Sequence, residues 1–339
     1  MFQPKFTLTS LLLDNLSKIE RFYGQLEALK IPKKLELNLE RDNLIQSTYV
    51  SNSIEGNPLS LPEVTNLLLD GRVPANRDEK EVKNYFELLK NLPNMTTKYL
   101  DLGLVTDLHS KLLVGVNDEI AGKIRNKKVV VGGYKKNDGE LKLVVKHDPP
   151  YHKQAQIGDY LTKLLSWSNE SSEQAILKAG IFHHQYVYLH PFMDGNGRTC
   201  RLLTAFVLLK NEYQINKYFV LDDYYDLDRK EYSDKLNSAD QGDKTEWLEY
   251  FTSGVRYSLQ SSLGRVNNMM KTLKVENRPT SKETEVLAFL EQNQQITSSD
   301  LADHLEVSRQ QAHKFLASLL EKGLIDKKGE TKKSYYFIK

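Results

Sequence analysis

Twelve consecutive residues, His190-Pro-Phe-Met-Asp-Gly-Asn-Gly-Arg-Thr-Cys-Arg201, place a base, a carboxylate, two glycines and two guanidinium groups together. Gly195-Asn196-Gly197 lets the backbone bend sharply and lets a ligand approach the amides closely. The apolar run Leu202 to Leu209 follows at once and predicts a buried helix. A loop feeding a helix N-terminus offers unpaired N–H groups and the positive end of the helix dipole, which together favour anions. Arg198 and Arg201, three apart, project from one side of that helix, and their donor forks suit phosphate oxygens. Asp194 would be misplaced beside an anion unless it holds a divalent cation, and Mg2+ typically uses one or two carboxylates together with substrate phosphates. His190 titrates in the range that suits a general base acting on a hydroxyl. Pro191 and Phe192 are expected to anchor the loop in the core, and the small Cys200 to pack. A lone Gly-Asn-Gly is commonly a turn and a lone histidine commonly structural; their combination at one junction reads as a nucleotide-phosphate site with a built-in base.

Helices must carry this loop. Leu11, Leu12, Leu16, Ile19 and Phe22 recur at helical spacing, Leu26 and Leu29 extend the stripe, and Pro32 interrupts it. Further helices are predicted over about 36–54, over 61–69 with Ser60 and Glu63 at capping-box spacing, and over 79–92, 102–114, 157–167 and 175–188. Gly56-Asn57-Pro58 breaks the chain. The texture changes at 127–145, where 127–131 and 141–145 read as two short strands around a Gly- and Asn-rich loop, closed by Asp148-Pro149-Pro150.

The bulk properties limit the partners. A chain of 339 residues is long enough for two or three domains, and 40% hydrophobic with 27% charged residues is a globular balance. A net charge of +2 gives no general attraction to nucleic acid or anionic membrane, so any anion site must be local. Cys200 is the single cysteine, which excludes internal disulfides and cysteine-based zinc sites. The N-terminus lacks a signal-peptide pattern, no apolar run approaches the ~20 residues that span a bilayer, and a cytoplasmic setting without membrane contact is expected. A metal hydrolase built on His183, His184 and His190 is disfavoured, because the spacing lacks the His-Glu-x-x-His pattern and the first two point to different helix faces.

The segment 190–201 resembles the signature of the Fic family, His-Pro-Phe-x-Asp-Gly-Asn-Gly-Arg-x-x-Arg, at every specified position. Ala121 to Arg125 with Val129 to Gly133 resembles the family's β-hairpin flap, Asp148-Pro149-Pro150 the turn after it, and Trp247-Leu248-Glu249-Tyr250-Phe251 the end of its core. The resemblance implies a mainly α fold, a Fic-type helical core with a small hairpin, and a protein adenylyltransferase that moves AMP from ATP to a Ser, Thr or Tyr hydroxyl of a target protein or of itself. It implies that His190 deprotonates the hydroxyl, that Asp194 binds Mg2+, and that Gly195, Asn196 and Gly197 cradle the inner phosphates. Arg198 and Arg201 would then clamp the outer phosphates, while Val130, Val131 and Gly132 of the flap hold the target. Asp222, Tyr225, Arg229 and Tyr232 are placed to reach an adenine, and equally to be core or rim residues. Cys200 stands where relatives often carry Gly.

Ser51-Asn52-Ser53-Ile54-Glu55-Gly56 resembles the family's inhibitory motif. Ser51 and Glu55 are four apart on one helix face, and Glu55 falls at a helix C-terminus, where the dipole disfavours a carboxylate. The resemblance implies that Glu55 pairs with Arg201 and blocks the productive pose of ATP. The same glutamate aligns water for AMP removal in some members, so a de-AMPylating hydrolase at this site stays open.

After 274–281, which contains Asn277-Arg278-Pro279-Thr280-Ser281 and reads as a linker, helices at 283–292, 298–305 and 308–322, a strand after Gly323, a basic loop at 327–333 and a last strand at 335–338 resemble a winged helix-turn-helix. Ser298 or Ser299 is the expected cap of its second helix. Residues 281–339 hold nine Lys plus Arg and nine Asp plus Glu. DNA binding through the third helix and the wing lysines (Lys327, Lys328, Lys332, Lys333) and protein docking therefore both stand, as does a DNA-binding regulator with a nucleotide-sensing core. The expected organisation is 1–95, a helical region carrying the inhibitory helix; 96–273, the catalytic core; 274–281, the linker; and 282–339, the winged helix. An oligomer is compatible with the sequence.

Overall fold

The computed structural model describes residues 2–137, 140–276, 278–329 and 334–338. The chain divides into two compact units, Met1–Gly264 and Arg265–Lys339.

The first unit is built on two adjacent helices, α7 (Ala175–Leu189) and α8 (Asn196–Lys210). Both are apolar on nearly every side, so both are buried: Ile181, Phe182, Tyr186 and Leu189 on α7 and Leu203, Phe206 and Leu208 on α8 are all shielded from solvent. The loop between them is the 190–195 segment. Six helices precede this pair: α1 (Ser10–Ala28), α2 (Lys33–Ile54), α3 (Leu61–Leu69), α4 (Arg77–Asn91), α5 (Leu102–Leu113) and α6 (Gln154–Glu170). Helix α2 starts three residues earlier than the periodicity predicts, directly after Pro32, whose fixed φ suits a helix start. At α3, the Glu63 carboxylate accepts from the Ser60 amide at 2.8 Å, as the capping-box spacing predicts. Asn76 and Asp101 cap α4 and α5 through their side chains.

After α8 come α9 (Asp222–Leu227), α10 (Arg229–Ser238) and α11 (Thr245–Glu276). Helix α11 reaches back to the central pair: the Trp247 indole donates to the Gly180 carbonyl at 2.7 Å. A Cβ at Gly180 would lie 2.9 Å from both Leu248 and Phe251, so glycine is what lets α7 and α11 approach. Helix α11 also seats α1, where buried Asn15 donates to Thr252 and Ser253 at 3.0 Å each.

The hairpin strands differ in extent from the sequence expectation. Strand β1 is Val131–Asn137 and β2 is Glu140–His147, antiparallel, with Val131 opposite His147. The 127–130 segment is not strand, because the Arg125 side chain ties Lys127 to the 189–191 loop. Gly132 and Gly133 lie inside β1 rather than in the turn. At Gly132 any Cβ would overlap the Val144 carbonyl, beside a register shift between Val131 and Gly132.

The second unit holds α12 (Ser281–Asn293), α13 (Ser298–His304), α14 (Arg309–Glu321) and an antiparallel pair, β3 (Ile325–Lys328) and β4 (Tyr335–Ile338). Its own core includes Val286, Leu290, Leu301, Leu316, Leu319 and Tyr336. The order of elements is that of a winged helix. Thr297, not Ser298 or Ser299, caps α13, since its hydroxyl can pair reciprocally with Asp300 three residues on. Of the predicted linker, 274–276 continues α11, Asn277 lies outside the described residues, and Pro279 marks the break. Lys327 and Lys328 sit in β3; Lys332 and Lys333 lie outside the described residues. Among the described residues no helix is long and apolar enough to cross a membrane.

The α7–α11 contact gives a stability test. Gly180→Val is expected to cost roughly 1–3 kcal/mol through overpacking. Chemical denaturation of the variant with an unchanged midpoint would refute this view of the core.

Candidate active site

His190 closes α7 in a left-handed conformation, φ 48°, and so turns the chain out of one buried helix toward the next. Its Nδ1 faces the Val187 carbonyl at 3.4 Å, which leaves Nε2 to accept a proton. Burial, and after it the positive field of His147, push the His190 pKa down to about 4, so the imidazole is neutral near pH 7. Gly195, at φ 71°, starts α8. The side chain of Asn196 is spent on the loop itself: it accepts from the Phe192 amide at 2.8 Å and donates to the Phe192 carbonyl at 2.9 Å.

Two residues from outside the loop hold it in place. His109 of α5 stacks on Phe192 with centroids 3.6 Å apart, donates from Nε2 to the Asp194 carbonyl at 3.0 Å, and accepts at Nδ1 from the Gly122 amide at 2.9 Å. Burial pushes its pKa down and keeps that tautomer neutral. Arg125 is buried and donates to the carbonyls of His190 (2.6 Å), Lys127 (2.8 Å) and Leu189 (3.2 Å), strapping the hairpin's approach to the loop. His109 had no signal of its own, lying in the apolar stripe of α5, whereas Arg125 stands in the segment that resembles the flap but with no role assigned to its side chain.

Arg201 is buried. Its Nη2 lies 2.8 Å from Glu55 Oε1 and donates to the Ser51 carbonyl at 2.8 Å, while its Nε donates to the Ser51 hydroxyl at 2.7 Å. Burial opposes its charge, but Glu55 and the surrounding tyrosines and Asp222 outweigh that and raise its pKa. A Cβ at Gly197 would overlap the Glu55 carboxylate, so that carboxylate lies directly on the first turn of α8. Arg198 is buried too. It pairs with Glu81 of α4 at 2.9 Å, and Glu81 also pairs with Arg77 at 3.1 Å. Arg77 and Arg198 approach the two oxygens of Asp194 at 4.0 and 3.9 Å. The result is a ring of alternating charges, Arg198–Glu81–Arg77–Asp194. Asp194 stays half-exposed and accepts from the Gly195 amide at 2.6 Å.

Beside His190 opens a cavity of about 150 Å³. Its walls include Glu55, Val131, His190, Gly197, Arg201 and Tyr232 from the predicted set. Ser51, Asp194, Gly195, Asn196, Arg198, Val130 and Gly132 do not line it. Tyr225 is corrected: it is core, stacked on Tyr232 with centroids 4.4 Å apart. Asp222 is likewise buried against Ser47 at 2.6 Å, and burial pushes its pKa up to about 6. Arg229 is corrected as well: it donates to the Ser53 carbonyl and hydroxyl, both at 2.8 Å, and so caps the last turn of α2. In place of these three, the far wall is formed by Tyr188, Ser233, Leu236, Asn237, Asp240 and His184. His183 and His184 take separate partners, Thr204 with Tyr232 and Asp240 with Leu236, and the Cys200 thiol packs against the His183 carbonyl. Among the described residues no three His, Cys, Asp or Glu side chains group as a metal cluster.

Residues 99–208 match the family model described as Fic/DOC family, and residues 279–332 the one described as MarR family. A curated "Protein adenylyltransferase Fic" of Aedes aegypti is 30% identical over 224 residues, 60% of this chain and 38% of that protein. "Protein adenylyltransferase fic-1" of Caenorhabditis elegans is 25% identical over 263 residues, 74% and 48%. The chain thus spans less than half the length of these curated relatives. Among solved structures, a Fic family protein from Desulfovibrio desulfuricans G20 superposes with a TM-score of 0.66 at 22% identity, covering 100% of this chain and 98% of that one. Fic-1 from C. elegans gives 0.61 at 23%, covering 78% and 74%. At such identities the likeness is one of fold.

The role of His109 can be checked directly. His109→Phe keeps the stack on Phe192 but strands the Gly122 amide and the Asp194 carbonyl, and is expected to cost roughly 1–3 kcal/mol. Equal stability of variant and parent by urea denaturation would refute it.

Proposed function

From a chain that carries a Fic/DOC family domain at residues 99–208 and a MarR-type winged helix at 279–332, we propose a protein adenylyltransferase that is held off at rest by its own Glu55. The observation that carries this reading is the Glu55 carboxylate, seated at once on Arg201 and on the first turn of α8 beside a neutral His190. A carboxylate there occupies the ground that the phosphates of ATP would need. The cavity it borders is also smaller than the ~300–1,000 Å³ usual for ligand clefts.

In the reaction, the target hydroxyl gives its proton to His190 Nε2 and its oxygen attacks the α-phosphorus of ATP. The bond from that phosphorus to the bridging oxygen breaks and pyrophosphate leaves with the electron pair. The amides of Asn196 and Gly197, with Arg198 and Arg201, stabilise the charge that builds on the phosphates, an effect of positioning and electrostatics. Arg198 has a buried Nε–H without a partner among the described residues, a donor suited to a phosphate oxygen. The half-exposed Asp194 carboxylate fits an Mg2+ ion shared with the phosphates, which would supply further charge neutralisation when bound. Val131, on the hairpin wall of the cavity, faces the place where a target segment would lie.

The MarR-type match favours a second role for the C-terminal unit. Arg309, Gln310, His313, Lys314 and Ala317 are exposed along one face of α14, the geometry of a recognition helix. We propose that this face binds duplex DNA weakly, because residues 281–339 as a whole carry no net charge. A gel shift at low salt that Lys314→Glu abolishes is expected; no shift at low salt would favour protein docking.

Glu55→Gly is expected to raise AMP transfer by about tenfold or more, the change that roughly 1.4 kcal/mol of lost competition would give. Intact-mass spectrometry with ATP and Mg2+ should show AMP added to the protein or to a lysate component. Adding His190→Ala should remove that gain by on the order of 10²–10⁴-fold with the fold intact. Unchanged or lower labelling in Glu55→Gly would sink the proposal.

A further inference from the structure

We propose that His147 and Asp240 form a charged clasp that holds the base of the β1–β2 hairpin at the cavity wall, and that the clasp lets go when His147 loses its proton. His147 ends β2 and stands opposite Val131, the hairpin residue that lines the cavity beside His190. The ladder is irregular at this point, between Val131 and Gly132, so the base of the hairpin needs another anchor.

The anchor is the imidazole. Its Nδ1 lies 2.7 Å from Asp240 Oδ2 and its Nε2 lies 2.9 Å from the Tyr188 carbonyl. Both partners can only accept, since one is a carboxylate and the other a carbonyl, so both ring nitrogens carry a proton and the ring is cationic. One side chain thereby ties β2 to the end of α7 and to the turn after α10. Asp240 is shared: its Oδ1 accepts from His184 Nε2 at 3.1 Å, and Lys244 lies 3.1 Å from His184 Nδ1. That second contact fixes His184 as a neutral donor to Asp240.

The groups around His147 fall into three sets. Asp240 faces it from the turn 239–241, and Asp148 follows it in the chain. From the end of α7 come Tyr188 and His190, with ring centroids at 5.6 and 6.5 Å. Behind Asp240 lie His184 and Lys244. Burial opposes the charge on His147, but Asp240 and the Tyr188 carbonyl outweigh it and hold the pKa above the ordinary histidine range. The anchoring is therefore complete below the ordinary histidine pKa and is lost as pH rises through the raised value. Burial draws Lys244 down to about 8, so it loses charge in a similar window and must be tested apart.

The functional consequence, a target segment held less firmly when the hairpin is loose, rests on the adenylyltransferase reading; the clasp itself does not. Hydrogen exchange by mass spectrometry on the full chain, at pH 6 and pH 9 and normalised for intrinsic exchange, tests it. Backbone amides of 131–137 and 140–147 should lose about tenfold or more in protection at the higher pH. His147→Gln, which can donate but not carry charge, should show the low protection at both pH values. Asp240→Asn should shrink the step, and Lys244→Met should keep it. Equal protection of the parent hairpin at both pH values, full protection in His147→Gln at pH 6, or loss of the step in Lys244→Met would each overturn the clasp. In a Glu55→Gly background, His147→Gln should raise KM for a protein acceptor. If Glu55→Gly transfers no AMP at all, the proposed function fails while the exchange result still decides the clasp.

Discussion

Arg201 carries a permanent positive charge into the core, and the helices around it are arranged to supply the negative charge that it requires. Taking a guanidinium out of water costs several kcal/mol unless an anion and hydrogen bonds compensate. Ser51 and Glu55, one turn apart at the end of α2, provide both. A carboxylate at a helix C-terminus is itself disfavoured by the dipole. Arg229, bound to the Ser53 carbonyl, and the N-terminal turn of α8, directly under the carboxylate, offset that. A donor fork can serve one anion at a time in this geometry, so in the proposed reading a phosphate must displace Glu55 to be held productively.

The other arginine of the segment, Arg198, makes the arrangement less local than one ion pair. Arg198 leans on Glu81 of α4 and comes within 3.5 Å of Asn52, on the same turn of α2 that serves Arg201. Through Arg77 the same charges reach Asp194. Helices α2 and α4 therefore set the surroundings of both arginines and of the Asp194 carboxylate. Any displacement of α2 that frees Arg201 also changes what Arg198 touches, which in the proposed reading couples the brake to the geometry of the phosphate site.

Much of this was legible in the sequence where a short segment carries both its own conformation and its own chemistry. The loop 190–201, the helix around Ser51 and Glu55 and the capping box at Ser60 are of that kind. Groups that matter only through distant partners were not legible. Glu81 is an ordinary surface-type glutamate until α4 folds against α8, and His109, Arg125 and the His147–Asp240 pair act across more than sixty residues of chain. On the nucleobase side, packing decides between the adenine-contact and the core-or-rim readings for the same reason. Tyr225 and Arg229 have the right chemistry, but tertiary packing puts one in an aromatic core and the other on the last turn of α2. The hairpin start was misplaced because a Gly-Gly pair usually marks a turn, whereas here close backbone approach at Gly132 keeps it in the strand.

The proposed competition between Glu55 and phosphate for Arg201 is most directly tested by calorimetric titration of ATP with Mg2+ into the parent chain and the Glu55→Gly variant. Binding at least about tenfold tighter to the variant, with that advantage lost when Arg201→Ala is added, is the predicted result. Equal affinities of parent and variant would show that the carboxylate and the nucleotide do not contend for the same charge, and would contradict the account.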